Sequence, residues 1–541
     1  MAKLKIDHRE VEVPPGTTIL DAAEKLGIEI PTLCFSRGCE PSTSCLVCLV
    51  KVGKGGRMVP ACATLAADGL EVESESEEVH RSRRAALELL LSDHLGDCLA
   101  PCWYGCPAQM NIPQMLRQIA ADDLRGAIAT VKADIALPAV LGRICPAPCE
   151  KVCRRAGLDG AITICDLKRM VADADLASPE PYLPPCRPAT GKRVAIVGGG
   201  PTGLAAAYYL ARLGHACTIF DENHELGGRL HHETSEEQLP RDVLRAEIAQ
   251  ILRLGIAARL DTRVGREVSP AELLGGFDAQ LIACGATAAG QAEAWGLPAG
   301  PLGIQVAKRT FATGTAGLFA AGNATRGKGM VVRSAADGKE AAAAIDQFLT
   351  GAPLTGATQP FSTRIGRMEP AELQEMAGDC PDFRVSENGT VPLSNVTASA
   401  PLAAPPNSEA ASGAAAASRC LHCDCRGLHT CKLRKYAAIY GADPRRYKSE
   451  RRRFHQDAQH AEVIHEPGKC IDCGLCVQIT AAAGESLGLT YIGRGFNVRV
   501  GVPLGHSLAD ALAKVAAQCV AACPTAALAW KTSPSPSGSD H

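Results

Sequence analysis

Residues 192–222, KRVAIVGGGPTGLAAAYYLARLGHACTIFDE, leave the chain few ways to fold. Residues 194–197 are a short apolar run and predict a buried strand. Gly198-x-Gly200-x-x-Gly203 follows, then an Ala/Leu-rich helix, then a second strand over 217–220 closed by Asp221 and Glu222. Strand, glycine turn, helix and strand in this order predict a βαβ unit with a pyrophosphate-binding turn. The first glycine permits the tight turn. The second lets backbone approach the phosphates, and the third packs helix on strand. The helix N-terminus meets the phosphate charge, and Asp221 can accept from both ribose hydroxyls. The bland alternative is an α/β core turn that binds no phosphate.

A chain of 541 residues has room for three or four domains. Its net charge of −2 implies no polyanionic partner, and 4% aromatic residues argue against base-stacking platforms, so no nucleic acid is expected. The start carries no basic segment followed by an apolar one, and no run of 18 apolar residues occurs; the expectation is a cytoplasmic protein without membrane insertion. The 25 cysteines are clustered. In a reducing compartment such spacings point to metal or iron–sulfur ligation and away from disulfides.

Residues 1–80 open with two alternating strands, read as turning at Pro14-Pro15-Gly16, and a helix capped by Thr18. Cys34, Cys45, Cys48 and Cys62 then place three thiols in a loop and a fourth in a later turn, an arrangement that can surround a two-iron rhomb; a zinc knuckle is the alternative. PTLC, CLVCLV and VPAC resemble the β-grasp 2Fe–2S domain of the complex I large iron–sulfur subunit, iron hydrogenases and some formate dehydrogenases. Cys39 lies outside that pattern.

Residues 81–190 read as a helical domain. A helix ends in His94, followed by Cys98, Cys102 and Cys106, and later by Cys145, Cys149, Cys153 and Cys165: seven thiols, one short of two four-iron cubes. CPAQMNIPQM and GRICPAPCEKVC resemble the N-terminal domain of the glutamate synthase small subunit and of dihydropyrimidine dehydrogenase. That resemblance implies one cube on Cys98, Cys102 and Cys153 and another on Cys106, Cys145 and Cys149. The family's oxygen ligand falls near Lys168, which cannot ligate as an ammonium; Cys165, on the same helical face, takes that place. LLLSDH-x3-C resembles the histidine-containing cluster of complex I, so His94 completes the other cube. The bland alternative is a helix-end histidine favoured by the dipole.

Residues 191–350 read as a Rossmann-like FAD domain. Leu226-Gly227-Gly228-Arg229-Leu230 resembles the stretch with the glycine doublet in the glutamate synthase small-subunit family, implying Gly228 and Arg229 as cofactor contacts, and GLFAAGNATRGKGMVV resembles its second FAD motif, implying Gly322, Asn323 and Val331. The family has Asp where Asn323 stands, and an amide can still hydrogen-bond a hydroxyl. The family inserts a second βαβ unit for NAD(P)H before this motif. Residues 288–316 are too few for one and hold no GxGxxG, so the pyridine-nucleotide domain is read as absent, with an unrecognised degenerate site as the rival.

Residues 351–418 read as a linker, Ala/Pro/Ser/Gly-rich over 397–418. Residues 419–541 form a C-terminal iron–sulfur module. Cys420, Cys423, Cys425 and Cys431 fit a cube or a zinc site. Residues 431–454 carry nine Lys/Arg against two acids, read as a solvated face or as a docking surface for an acidic partner. Cys470, Cys473, Cys476 and Cys523 resemble a bacterial two-cluster ferredoxin that keeps one cube, with Thr480 in place of a ligand and Cys519 a buried thiol.

The expected fold is therefore multidomain α/β and α+β: a β-grasp ferredoxin, a helical domain with two 4Fe–4S clusters, the FAD domain, and a ferredoxin-like domain. The expected cofactors are FAD, one 2Fe–2S and three to four 4Fe–4S clusters. No Ser/His/Asp or Cys/His catalytic constellation is present. The function this implies is an electron-transfer subunit of a larger oxidoreductase, of formate or aldehyde dehydrogenase or hydrogenase type, whose partner subunits carry the substrate site; a soluble ferredoxin is a further candidate partner. The rivals are a stand-alone NAD(P)H-dependent reductase and a non-enzymatic iron–sulfur scaffold or redox sensor.

Overall fold

A computed structural model describes residues 1–53, 55–287, 289–378, 407–447 and 450–531. The chain divides into two compact units. One is Met1–Ala100 with the described parts of 360–379 and 422–541; the other is Pro101–Gln359 with the described part of 380–421. The boundary at Ala100 cuts the segment read as one helical domain.

The first unit begins with a five-stranded mixed sheet. β1 (Ala2–Ile6) and β2 (Arg9–Val13) are antiparallel, and β1 pairs parallel with β5 (Glu71–Glu73). β3 (Leu49–Val52) lies antiparallel to both β5 and β4 (Arg57–Pro60). The hairpin turns at Asp7 and His8, at φ 47° and 68°, and not at the Pro14-Pro15-Gly16 expected from sequence. A two-residue hairpin turn of type I′ has φ > 0 at both central positions; Asp7 is held there by the backbone amide of Ser74, which donates to its carboxylate at 2.6 Å. Thr18 caps Ile19–Lys25 as expected, accepting from the Asp21 amide at 3.1 Å. Alternating Leu4, Ile6, Val13, Val50 and Val72 bury one face against that helix.

Helix Glu77–Ser92 packs on β3 and on helix Lys432–Ile439. Arg83, fully buried, fastens them, donating to the Leu49 carbonyl at 3.0 Å and the Tyr440 hydroxyl at 2.7 Å. Four cations of the basic run after Cys431 are paired within this unit. Lys435 pairs with Glu29, Arg446 with Glu88, Arg452 with Asp93, and Arg451 with Glu372 at 2.6 and 2.7 Å.

The second unit holds a five-stranded sheet, all parallel, in the order strand Leu318–Ala320, β9 (Ala279–Ile282), β6 (Arg193–Val197), β7 (Ala216–Phe220) and β8 (Ala257–Arg259). Its strands read as continuous apolar runs because helices cover them. Helix Pro201–Arg212 lies along Val331–Thr350. They approach so closely at Gly338 that a Cβ there would sit 2.3 Å from the Thr202 carbonyl oxygen. Between β9 and Leu318–Ala320 the described residues form one short helix, Ala289–Ala294, and a small hairpin, with no second βαβ unit.

The cysteine-bearing helices of this unit are tied to the sheet. The buried Glu247 carboxylate, on helix Arg241–Leu252, accepts the Ala139 and Val140 amides at 2.7 and 2.8 Å. It thereby caps helix Pro138–Ile144, which runs into Cys145. The linker reading needs correction: Asn407–Ser418 is a helix packed on Ile112–Ala120 and Ile164–Ala177, with Ala417 fully buried. The small side chains of residues 414–417 let it lie close; residues 379–406 of that reading lie outside the described residues. Among the described residues no helix is long and apolar enough to cross a membrane.

Candidate nucleotide cavity and cysteine sites

The cavity lies at the carboxyl ends of the parallel strands, on either side of β6 where strand order reverses, which is where open α/β sheets bind ligands. Its volume is about 610 Å³. The three glycines do separate work. At Gly198, φ is +103° and a Cβ would lie 2.7 Å from the Ala283 carbonyl oxygen. Gly203 admits none, since its Cβ would fall 1.9 Å from the Gly198 oxygen. Gly200 faces open space, with nothing within 4 Å of where a Cβ would stand, so a phosphate can reach the backbone there. Gly198, Gly200, Asp221, Glu222, Gly228, Arg229, Asn323 and Val331 all line the cavity. Gly203 and Gly322 do not line it; they shape its wall, and a Cβ on Gly322 would meet Thr202 Oγ1 at 2.2 Å.

Asp221 is buried and bonded at both oxygens. Gly199 N–H donates to Oδ2 at 2.6 Å, and Asn223 donates to Oδ1 from its backbone at 2.9 Å and its amide at 2.8 Å. Both lone pairs of Oδ1 are thereby used, and one on Oδ2 remains for a ribose hydroxyl. Glu222 is exposed and pairs with Arg263. The Asn323 Oδ1 atom is buried without a hydrogen-bond partner. A buried acceptor left unpaired costs stability, and here it faces a space that a hydroxyl-bearing ligand would fill. Sequence reasoning missed Ile144, which lines the same cavity immediately before Cys145. No local signal links it to the glycine turn.

Most of the cysteines collect into groups, and among the described residues none is in a disulfide. Cys48 and Cys62 lie Sγ to Sγ at 3.4 Å, and Cys34 and Cys45 hydrogen-bond each other. Those contacts hold Cys34 and Cys48 below the ordinary thiol value. Their partners Cys45 and Cys62 are pushed above it, by the same contacts and by burial.

In the second unit Cys145 and Cys165 hydrogen-bond each other, and Cys106 and Cys149 interact electrostatically with the same group. Lys168 is buried among them, 3.7 Å from Cys165 Sγ. Burial works to discharge it; the combined electrostatic pull of Cys165, Cys145, Cys106 and Cys149 outweighs burial and raises its pKa. Cys102, Cys153 and Cys420 pack on the same apolar core.

Back in the first unit, Cys470, Cys473, Cys476 and Cys523 converge on a small enclosed cavity. Two amides point at these sulfurs, Asp472 N–H to Cys470 and Leu528 N–H to Cys523, each at 3.4 Å. Burial pushes Cys473 up to about 12. Cys519 is fully buried, as expected of a core thiol, and Thr480 spends its hydroxyl on the Val477 carbonyl and the Leu489 amide. Among the described residues, no three or more His, Cys, Asp or Glu side chains close tightly enough to hold a single metal ion.

Three protein families match the chain. They are a 2Fe–2S iron–sulfur cluster binding domain over residues 1–77, the 4Fe–4S domain II of dihydropyrimidine dehydrogenase over 92–179, and an NAD(P)-binding Rossmann-like domain over 196–249. Among curated proteins it is 38% identical over 224 residues to the NADP(+)-dependent formate dehydrogenase subunit beta of Moorella thermoacetica, covering 36% of this chain and 32% of that one. It is 38% identical over 190 residues to the NADPH-Fe(3+) oxidoreductase subunit beta of Geobacter sulfurreducens, covering 35% and 28%. It is 35% identical over 193 residues to the glutamate synthase [NADPH] small chain of Mycobacterium tuberculosis, covering 36% and 40%. The matches thus span about a third of the length of these relatives. The chain carries iron–sulfur and dinucleotide-binding domains, and its relatives are named as dehydrogenase and oxidoreductase subunits and a glutamate synthase small chain, which bears out the resemblances and the enzyme class read from the sequence.

Proposed function

We propose that this chain is an electron-transfer subunit of a larger cytoplasmic oxidoreductase, carrying FAD in the cavity of the parallel sheet and a series of iron–sulfur clusters. The observation that carries the proposal is Ile144: it walls the cavity, and the next residue, Cys145, belongs to a buried thiol group. A flavin in that cavity would abut a cluster directly. When bound, FAD takes electrons as a pair and clusters take them singly, so the junction splits or collects pairs.

The chain's own residues supply position and insulation. Gly198 and Gly200 bring backbone to the pyrophosphate, Asp221 accepts from the ribose, and Asn323 Oδ1 accepts from a hydroxyl of the ribityl chain. Cys34, Cys45, Cys48 and Cys62 would hold the 2Fe–2S cluster, Cys106, Cys145, Cys149 and Cys165 one cube, and Cys470, Cys473, Cys476 and Cys523 another. Lys168 would offset the negative charge of the cube beside it. In the first unit a single apolar cluster contains Cys34, Cys45 and Cys473, with Cys431 against it, so thiols of separate sites share one water-excluding core. That contiguity supports a relay. A partner subunit, of formate or aldehyde dehydrogenase or hydrogenase type, would hold the substrate site, in keeping with the subunit names of the relatives; a soluble ferredoxin would serve as a further acceptor.

A second reading has support of its own: the family matched over 196–249 binds NAD(P), and a nicotinamide dinucleotide would fit the same turn. The test is anaerobic purification, analysis of released cofactor, and rapid mixing with NADH and NADPH. Released FAD that neither nucleotide bleaches quickly is the expected result. Rapid bleaching by the isolated chain, or a nicotinamide dinucleotide in place of flavin, would establish the stand-alone reductase.

A further inference from the structure

The run Cys420, Cys423, Cys425, Cys431 has the spacing of a self-contained site, yet Cys420 belongs to the second unit and the other three to the first. Arg419, beside Cys420, is bound in the second unit, where its carbonyl accepts from Arg155 at 2.6 Å and its guanidinium pairs with Asp159 at 3.1 Å. Cys420 there shares an apolar core with Cys102 and Cys153.

Cys425 and Cys431 belong to the first unit, and their neighbour is Cys98. The Cys425 amide donates to the Cys98 carbonyl at 3.2 Å, and both thiols are buried. Cys425 and Cys431 each feel the charge of the Cys98 thiol. The Cys98 loop is pinned from outside: Thr363 Oγ1 donates to the Gly96 carbonyl at 2.6 Å, and the Ile365 amide to Asp97 at 2.9 Å. Cys431 caps its helix, its sulfur accepting the Arg434 amide at 3.4 Å.

His94 lies on the same loop. Its Nδ1 atom is buried and has no hydrogen-bond partner. A cation completes the surroundings. Lys469, buried and paired with Glu466, sits so near that a Cβ on Gly96 would lie 3.0 Å from Lys469 Cε and 3.1 Å from His94 Nε2. Lys469 also interacts electrostatically with Cys425.

We infer that His94, Cys98, Cys425 and Cys431 form one four-iron cluster site, assembled from two distant stretches of the chain around the buried Lys469. This replaces both the assignment of Cys98 to Cys102 and Cys153 and the reading of residues 420–431 as a separate site. Three thiols and one imidazole nitrogen give four donors, and the unpartnered nitrogen accounts for a polar atom that would otherwise be buried at a cost. The inference rests on the iron–sulfur reading above.

The test uses the full chain, purified without oxygen, as wild type, Cys98→Ala, Cys425→Ala and the double variant. Iron, labile sulfide and the EPR spectrum after dithionite reduction are recorded for each. Each single variant should change one and the same EPR signal, and the double variant should lose no more than about four irons, the content of one cube. Two different signals lost, with about eight irons missing from the double variant, would overturn the grouping. A second measurement needs no cysteine variant. In chain labelled with 15N-histidine, pulsed EPR should show one strongly coupled imidazole nitrogen, which His94→Cys removes while lowering that cluster's potential. No coupled nitrogen in the wild type would overturn the site. Wild-type chain free of iron and sulfide would instead overturn the iron–sulfur reading, and the grouping with it.

Discussion

The amide of Gly199 donates to Oδ2 of Asp221 across 2.6 Å, joining the glycine turn to the acid that closes the next strand. The carboxylate fixes the turn's shape and keeps one lone pair, on Oδ2, for the ribose. Asp221→Ala removes both contributions. A hydrogen bond to a charged acceptor is worth about 1.5–3 kcal/mol, so FAD affinity should fall roughly 10- to 100-fold. Titration of the apo chain with FAD, followed by fluorescence quenching, measures it; unchanged affinity would remove Asp221 from the site.

Asn323 Oδ1 is a buried acceptor with no donor in the chain itself. Asn323→Leu should weaken FAD binding by about 1–1.5 kcal/mol, roughly tenfold. The same change should leave the apo chain as stable as before or slightly more stable, because it removes an unpaired polar atom. Thermal melts with and without FAD separate the two effects. Equal destabilisation of both forms would show a structural role only.

Lys168 lies among Cys106, Cys145, Cys149 and Cys165 as a buried cation. Reducing a cluster adds negative charge, which a nearby ammonium favours. Lys168→Met should therefore lower the potential of the cube on these thiols, on the order of 50 mV if about 1 kcal/mol of attraction is lost. An EPR-monitored redox titration reads the shift; an unmoved midpoint would place the cube elsewhere.

Glu372 receives Arg451 in a two-point pair and the Phe454 amide at 2.6 Å. Arg451 first, and the backbone amides with it, hold its carboxyl down at about 2 against the opposing effect of burial. Because the folded value is depressed, the stabilisation is complete above the ordinary glutamate value near ~4.3 and is lost as pH falls from there towards 2. Glu372→Gln should cost roughly 2 kcal/mol at neutral pH and almost nothing near pH 2. Urea unfolding at several pH values, followed by a probe in the first unit, gives the difference. A cost independent of pH would point to lost packing.

Thr18 as a cap, the strand–turn–helix around Gly198 and the shared helical face of Cys165 and Lys168 were all legible in the sequence. So were three of the thiol groups, apart from their cofactors. Each depends on residues near in the chain, or on a stereochemical demand only glycine meets. The hairpin turn was misplaced because Pro14-Pro15-Gly16 is a strong local signal, whereas Asp7 is held at positive φ by Ser74 from another strand. The helix Asn407–Ser418 was missed because its alanines carry no periodicity; a close-packed neighbour, with Gly413 against Met170, gives it its place.

The sequence by itself determined the kinds of chemistry: a turn that can meet a pyrophosphate, thiols in numbers and spacings suited to iron and sulfide, and a stretch over 288–316 too short for a second βαβ unit. Only the tertiary structure decided which thiols are neighbours. The spacing of Cys420, Cys423, Cys425 and Cys431 describes what the backbone can reach. Burial, the Arg155 bond to Arg419 and the Cys425 bond to Cys98 draw that short run into two separate cores. Such long-range contacts form only when the whole chain packs, so no local pattern records them.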